Sequence, residues 1–130
     1  MSISIRSLAH VGIRVHDLDR SLAFYELLGF VKTLGPVGPE PVAILHHPAG
    51  IEINLILNAG EAQQVNLLMD VPEKHPGYTH MALWVDDLDE TERVLTAAGY
   101  PRSGQMAYGT TRMIFVRDPD GNVVEFDATV

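Results

Sequence analysis

The stretch Leu8-Ala-His10-Val-Gly-Ile-Arg14-Val-His-Asp-Leu-Asp19 recurs seventy residues on as Tyr78-Thr-His80-Met-Ala-Leu-Trp84-Val-Asp-Asp-Leu-Asp89. Each copy is an alternating, apolar-rich run, which predicts a strand, followed by acidic residues suited to capping a helix. In the first copy Leu8, His10, Gly12 and Arg14 share one strand face, while Val11, Ile13 and Val15 share the other. In the second, Tyr78, His80, Ala82 and Trp84 fall together. Helical spacing follows in both: Leu18, Leu22, Tyr25 and Leu28, then Leu88, Thr91, Val94, Leu95 and Ala98. Gly29 and Gly99 close the two helices as C′ residues.

After Gly29 the pattern predicts strands over 30–34, 42–47 and 51–57, separated by the 35–41 turn cluster and by Pro48-Ala-Gly50. After Gly99 two more strands lead into a closing hairpin, Arg112–Phe126, around the turn Asp118-Pro-Asp-Gly121. Within it Val123, Glu125 and Asp127 share one face, and Val124 and Phe126 the other. The expected fold is α+β: two tandem βαβββ modules, about 5–57 and about 78–128, as one domain over 1–130. Duplication implies two half-barrels forming a curved, partly open barrel around one cleft. The linker, 58–77, has room for one extra strand at Val65-Asn-Leu-Leu-Met69 and lets the modules pair within or between chains.

Composition narrows the function classes. The chain has 130 residues, 46% apolar and 20% charged, which suits a soluble globular protein. No apolar run approaches the roughly 20 residues that cross a bilayer, and the start resembles no signal peptide. Without cysteine there is neither a disulfide nor a thiolate metal site, a composition compatible with the cytoplasm. A net charge of −8 with no basic stripe argues against nucleic acid; a small substrate, even an anionic one, is compatible.

Four polar residues interrupt the apolar pattern at matched places: His10 and His80 in the first strands, Glu52 and Glu125 in the last. Glu52 lies 42 residues after His10, and Glu125 lies 45 after His80. Were the two faces to converge, two imidazoles and two carboxylates would suit one divalent transition ion, Zn, Ni, Co, Mn or Fe. A Ca or Mg cage would favour more oxygen ligands and no imidazole.

On these residues the chain resembles the vicinal oxygen chelate superfamily, most closely the bacterial glyoxalase I type. The resemblance is carried by Leu8–Val15, Phe24-Tyr-Glu-Leu-Leu-Gly29-Phe30, Gly77-Tyr-Thr-His80, Gly109-Thr-Thr111 and Asp118-Pro-Asp-Gly-Asn-Val-Val-Glu125. It implies paired βαβββ modules, one divalent metal on His10, Glu52, His80 and Glu125, and a homodimer whose interface builds or borders the site. It also implies a lyase or isomerase in which the metal grips vicinal oxygens of a small substrate and stabilises an enediolate or enolate. Glu125 or Glu52 would move the proton.

Arg14 matches a substrate-carboxylate contact of that family, and Trp84 either packs in the barrel or walls the pocket. Two other matched positions depart from the pattern: Ile56 replaces an Asn, and the Ala107-Tyr108 pair replaces a Lys. Both concern glutathione, so the substrate stays open among 2-oxo, hydroxy-acid and acyl-thioester compounds. Two other readings share the fold: a metal-free, bleomycin-resistance-like binding protein, and an extradiol-type dioxygenase, which needs only three ligands. Of the remaining residues, His46 and His47 are adjacent, so at most one can line the cleft. His16 and His75 read as solvated, and Met106 and Met113 as core or pocket wall.

Overall fold

Asp17 and Asp87 begin the two helices as the sequence suggests: their carboxylates accept the Arg20 and Glu90 backbone N–H, each at 2.9 Å. The computed structural model describes residues 1–60 and 65–130, and they fall in two compact units, Met1–Gly60 and the remainder to Val130. The first unit comprises β1 (Val11–Arg14), α1 (Leu18–Leu27), β2 (Val31–Val37), β3 (Val42–His47) and β4 (Ile51–Ile56). The second comprises β5 (His80–Trp84), α2 (Leu88–Ala97), β6 (Arg102–Tyr108), β7 (Thr111–Arg117) and β8 (Val123–Thr129).

The sheet orders are β1-β4-β3-β2 and β5-β8-β7-β6. In each unit the first strand runs parallel to the last, and the other pairs are antiparallel. The βαβββ plan expected from the repeat is therefore present twice.

Period-two burial sorts the faces. Ile53 and Leu55 on β4 are fully buried with Phe24, Tyr25 and Phe30, whose rings meet edge to face at 5.0 and 6.2 Å. In the second unit Val124, Phe126 and Ala128 on β8 are buried, as are Ile114, Val116, Leu88 and Leu95. Each such large side chain contributes roughly 1.5–3 kcal/mol on burial. The alternate residues, Glu52, Asn54 and Ile56 on β4 and Glu125 and Asp127 on β8, are thereby turned to the opposite face.

Several boundaries differ from expectation. β1 begins at Val11 rather than Leu8, so His10 stands just before the strand, and all ten residues ahead of it are exposed. β2 runs on to Val37 instead of ending at Leu34, because its pairing with β3 absorbs the glycine-proline stretch through two register shifts. On α1 the buried side chains are Ser21, Phe24 and Tyr25. The apolar stripe is thus rotated from the Leu18–Leu22 row towards Phe24. No strand forms at Val65–Met69: Asn66 Oδ1 accepts the Leu68 and Met69 N–H at 3.0 and 3.2 Å and folds the segment into a turn. Residues 61–64 of the expected linker lie outside the described residues.

The closing hairpin uses a five-residue turn, since Arg117 pairs with Val123. Asp118 is 4% exposed, and its carboxylate accepts the Asp120 and Asn122 N–H and the Asn122 amide, each at 2.9 Å. Gly121 takes φ +83, where a side chain would be strained. Arg117 braces the turn from outside, bidentate to Asp70 at 2.7 and 2.8 Å and bonded to Gly121 O at 2.9 Å.

Asp118→Ala leaves two backbone N–H groups without their acceptor. It is expected to cost about 2–3 kcal/mol, read as a lower urea midpoint at unchanged slope. An unchanged midpoint would mean that the turn is held by its backbone alone.

Candidate active site

Parallel pairing of first and last strand brings each unit's histidine beside its glutamate. In the second unit His80 Nε2 lies 3.1 Å from Glu125 Oε1. The Thr79 hydroxyl is 2.8 Å from the other ring nitrogen, and the Phe115 ring meets the imidazole edge-on at 5.9 Å. The imidazole is thus oriented from two sides. Glu125 is only 12% exposed at its side chain.

In the first unit His10 Nδ1 lies 3.6 Å from Glu52 Oε2. The other oxygen, Oε1, is 2.9 Å from His46 Nε2, and His46 Nδ1 is 2.7 Å from the Thr33 hydroxyl. The adjacent histidines do separate to opposite faces. His47 bonds Leu28 O through Nε2 at 2.8 Å and accepts the Ala49 N–H on Nδ1 at 2.9 Å. Those partners fix its tautomer and give it a structural task beside Phe30, 5.1 Å away. His16 is not simply solvated either, since it bonds Gly60 O at 2.7 Å.

Burial, and secondarily the hydrogen bond and negative charge of Asp127, push the Glu125 carboxyl up to about 7. Asp127 shares that face; it is in register with Trp84 on β5 and Met113 on β7. Its Oδ1, like that of Asn54 in the first unit, is buried without a hydrogen-bond partner among the described residues. Trp84, Met106 and Tyr108 lie on the same face and are 70%, 60% and 82% exposed, so within this unit they are surface residues and not core.

Arg14 on β1 is held by its own unit: Nε donates to Asn58 at 2.9 Å and Nη2 to Glu40 at 3.0 Å. Hydrogen bonds from Asn58 and then Arg14 keep the exposed Glu40 carboxyl below its usual range. Ile56 is the β4 partner of Arg14, an apolar neighbour for the guanidinium.

Among the described residues no group of three or more His, Asp and Glu is placed to hold a metal ion. Each unit supplies two of the four expected donors, one imidazole and one carboxylate. That mixed nitrogen and oxygen chemistry suits a borderline divalent ion, and the buried Asp127 Oδ1 on the face of Glu125 is a further oxygen with no hydrogen-bond partner among the described residues. The residues present fit such an ion. Sequence reading passed over Thr33 and Asp127 and left His46 undecided. The face shared by Glu125 and Asp127 was a usable signal; the Thr33 contact was not, because it depends on a register shift.

Comparison with known proteins adds the family. A model described as Glyoxalase/Bleomycin resistance protein/Dioxygenase superfamily matches residues 7–126. The lactoylglutathione lyase of Haemophilus influenzae is 35% identical over 127 residues, covering 90% of this chain and 88% of that one. A probable lactoylglutathione lyase of Vibrio cholerae is 32% identical, covering 95% and 91%. The crystal structure of a glyoxylase/bleomycin resistance protein/dioxygenase domain from Frankia sp. EAN1pec superposes with a TM-score of 0.81 at 24% identity, covering 98% and 94%.

The raised Glu125 pKa has a signed consequence for the metal-free protein. Below about pH 4 the carboxyl is protonated folded and unfolded alike. As pH rises the unfolded state ionises first, so stability falls until the folded group also ionises at about 7. Glu125→Gln should remove that slope, gaining about 1–3 kcal/mol over the parent at pH 8 and little at pH 4. Urea unfolding of chelator-treated protein at both pH values checks this; parallel curves would show that Glu125 titrates normally.

Proposed function

The chain belongs to the Glyoxalase/Bleomycin resistance protein/Dioxygenase superfamily, and from that premise we propose that it is a divalent-metal-dependent lyase or isomerase of the glyoxalase type. Its substrate would be small and carry vicinal oxygens, such as the adduct of a 2-oxoaldehyde with a thiol. The observation that carries the reading is Glu125: a mostly buried carboxylate, pushed to about 7, 3.1 Å from His80. A buried carboxyl whose proton affinity the protein raises is suited to accepting and returning a proton. The lactoylglutathione lyases among the relatives support the same reaction class.

His10, Glu52, His80 and Glu125 would hold the ion, one of Ni, Co, Zn, Mn or Fe. When bound, it supplies Lewis acidity that stabilises negative charge on the substrate's oxygens. Glu125 takes the proton from the carbon bearing the hydroxyl, and the electron pair left behind forms an enediolate. The same carboxyl then returns the proton to the neighbouring carbon, while the hydroxyl proton passes to the former carbonyl oxygen, leaving a 2-hydroxyacyl product with no net change in atoms. His80, fixed by Thr79 and Phe115, keeps the carboxylate in place. Glu52, held by His46, is the poorer base candidate because its oxygens face imidazoles. Arg14 would meet the substrate's far end and Trp84 its apolar part, and the functional form would be a homodimer.

Glutathione itself is a weaker fit. Ile56 stands beside Arg14, Glu40 partly neutralises the guanidinium, and Ala107-Tyr108 offers no ammonium group. One further reading has its own support: Trp84, Tyr108 and Met106, exposed on the face of Glu125, would equally suit a non-catalytic binder of an aromatic molecule.

Metal content and turnover separate the two. The enzyme reading expects about one divalent ion per chain, lost in His80→Ala, and thioester formation from methylglyoxal with glutathione or a smaller thiol. Glu125→Gln should then lower kcat by about 10²–10⁴. Protein with no metal affinity that binds aromatic ligands would favour the binder. Iron-dependent ring cleavage that survives Glu52→Gln would point to the dioxygenase.

A further inference from the structure

We propose that His46 is a positioning residue that presents Glu52 to the metal, an inference that rests on the reading above. His46 is the residue of β3 directly opposite Glu52 in the β3–β4 ladder. Its Nε2 engages only one carboxylate oxygen, Oε1 at 2.9 Å, and leaves Oε2 towards His10 at 3.6 Å. A carboxylate gripped at one oxygen keeps the other available for a ligand role, and its rotation about the last side-chain bond is suppressed.

The grip is itself oriented. With the Nε2 proton given to Glu52, Nδ1 is left to accept from the Thr33 hydroxyl, 2.7 Å away. Thr33 is where it is because the β2–β3 register slips between Lys32 and Leu34, and the extra residue turns its hydroxyl to His46. Packing offers no competing reason for a histidine here: half of the His46 side chain is exposed, whereas His47 next to it serves the core side. The second unit has no such grip, because the residue opposite Glu125 on β7 is Phe115. Glu52 is therefore the carboxylate gripped from the facing middle strand of its sheet, and Glu125 has an aromatic ring at that place.

Titration of Co(II) into the metal-free full-length protein, by calorimetry and by the d–d absorption of the loaded protein, tests this. His46→Ala should weaken Co(II) binding roughly 10- to 100-fold while leaving the saturated absorption spectrum and the thermal melt unchanged. His46→Gln, whose amide still donates to Glu52, should recover most of the loss, and Thr33→Val should lose less than His46→Ala. Parent affinity in both His46→Ala and Thr33→Val would overturn the inference, and so would an altered d–d spectrum in His46→Ala, which would make His46 a ligand. Should His46→Ala not fold, His46→Gln at near-parent affinity with Thr33→Val weakened supports the inference, and Thr33→Val at parent affinity overturns it. Parent protein that binds no Co(II) overturns the metal reading itself, an outcome distinct from parent binding with insensitive variants.

Discussion

The parallel pairing of the first strand of each unit with its last is the constraint on which the site depends. His10 and Glu52, or His80 and Glu125, are separated by more than forty residues of chain, a helix and two strands. They meet because the last strand returns to the middle of the sheet and the first strand pairs along its outer side. A parallel partner demands a long crossover, and the helix and antiparallel hairpins that make it also supply the apolar layer. Val124 and Phe126 go under that layer, so Glu125 between them is presented to the other face. Core and site are alternate residues of the same strand.

The two carboxylates sit in different settings. Glu52 has an imidazole nitrogen at each oxygen, at 2.9 and 3.6 Å. Glu125 has one imidazole and an acidic neighbour, and its burial raises its proton affinity. In the first unit it is the carboxylate that is held by side chains around it, and in the second the imidazole. The two copies of the duplicated unit thus hold different members of the histidine–glutamate pair.

Much of this was legible in the sequence because it depends on short-range pattern. The repeat, the caps at Asp17 and Asp87, the alternation of β8 and the closing turn all follow from spacing and residue type, and they give the fold and the pairing of one histidine with one glutamate in each unit. What was not legible is set by register. Nothing in Thr33 or His46 announces their contact, since it depends on a slip in the pairing of β2 with β3. Nor does apolar content at Val65–Met69 reveal a turn, because one asparagine side chain decides it. The Leu8 start failed for a similar reason: alternation continues past the point where a partner strand exists.

Register also corrects the matching of the two glutamates. His80 pairs with Val123 and Ala82 with Glu125, while Val11 pairs with Ile53 and Gly12 with Asn54. The ladder counterpart of Glu125 is therefore Asn54, and Glu52 corresponds to Val123; the glutamates share a face but stand one pleat apart. Glu52 lies where β1 has not yet begun to pair, so its strand has a neighbour on one side only. Glu125 lies inside the ladder, with β5 on one side and β7 on the other. That difference of two residues accounts for side-chain exposures of 28% and 12%, and the deeper position carries the raised pKa. Burial inside the ladder is the larger cause of that raised proton affinity, and Asp127, two residues on along the same face, adds its hydrogen bond and its charge.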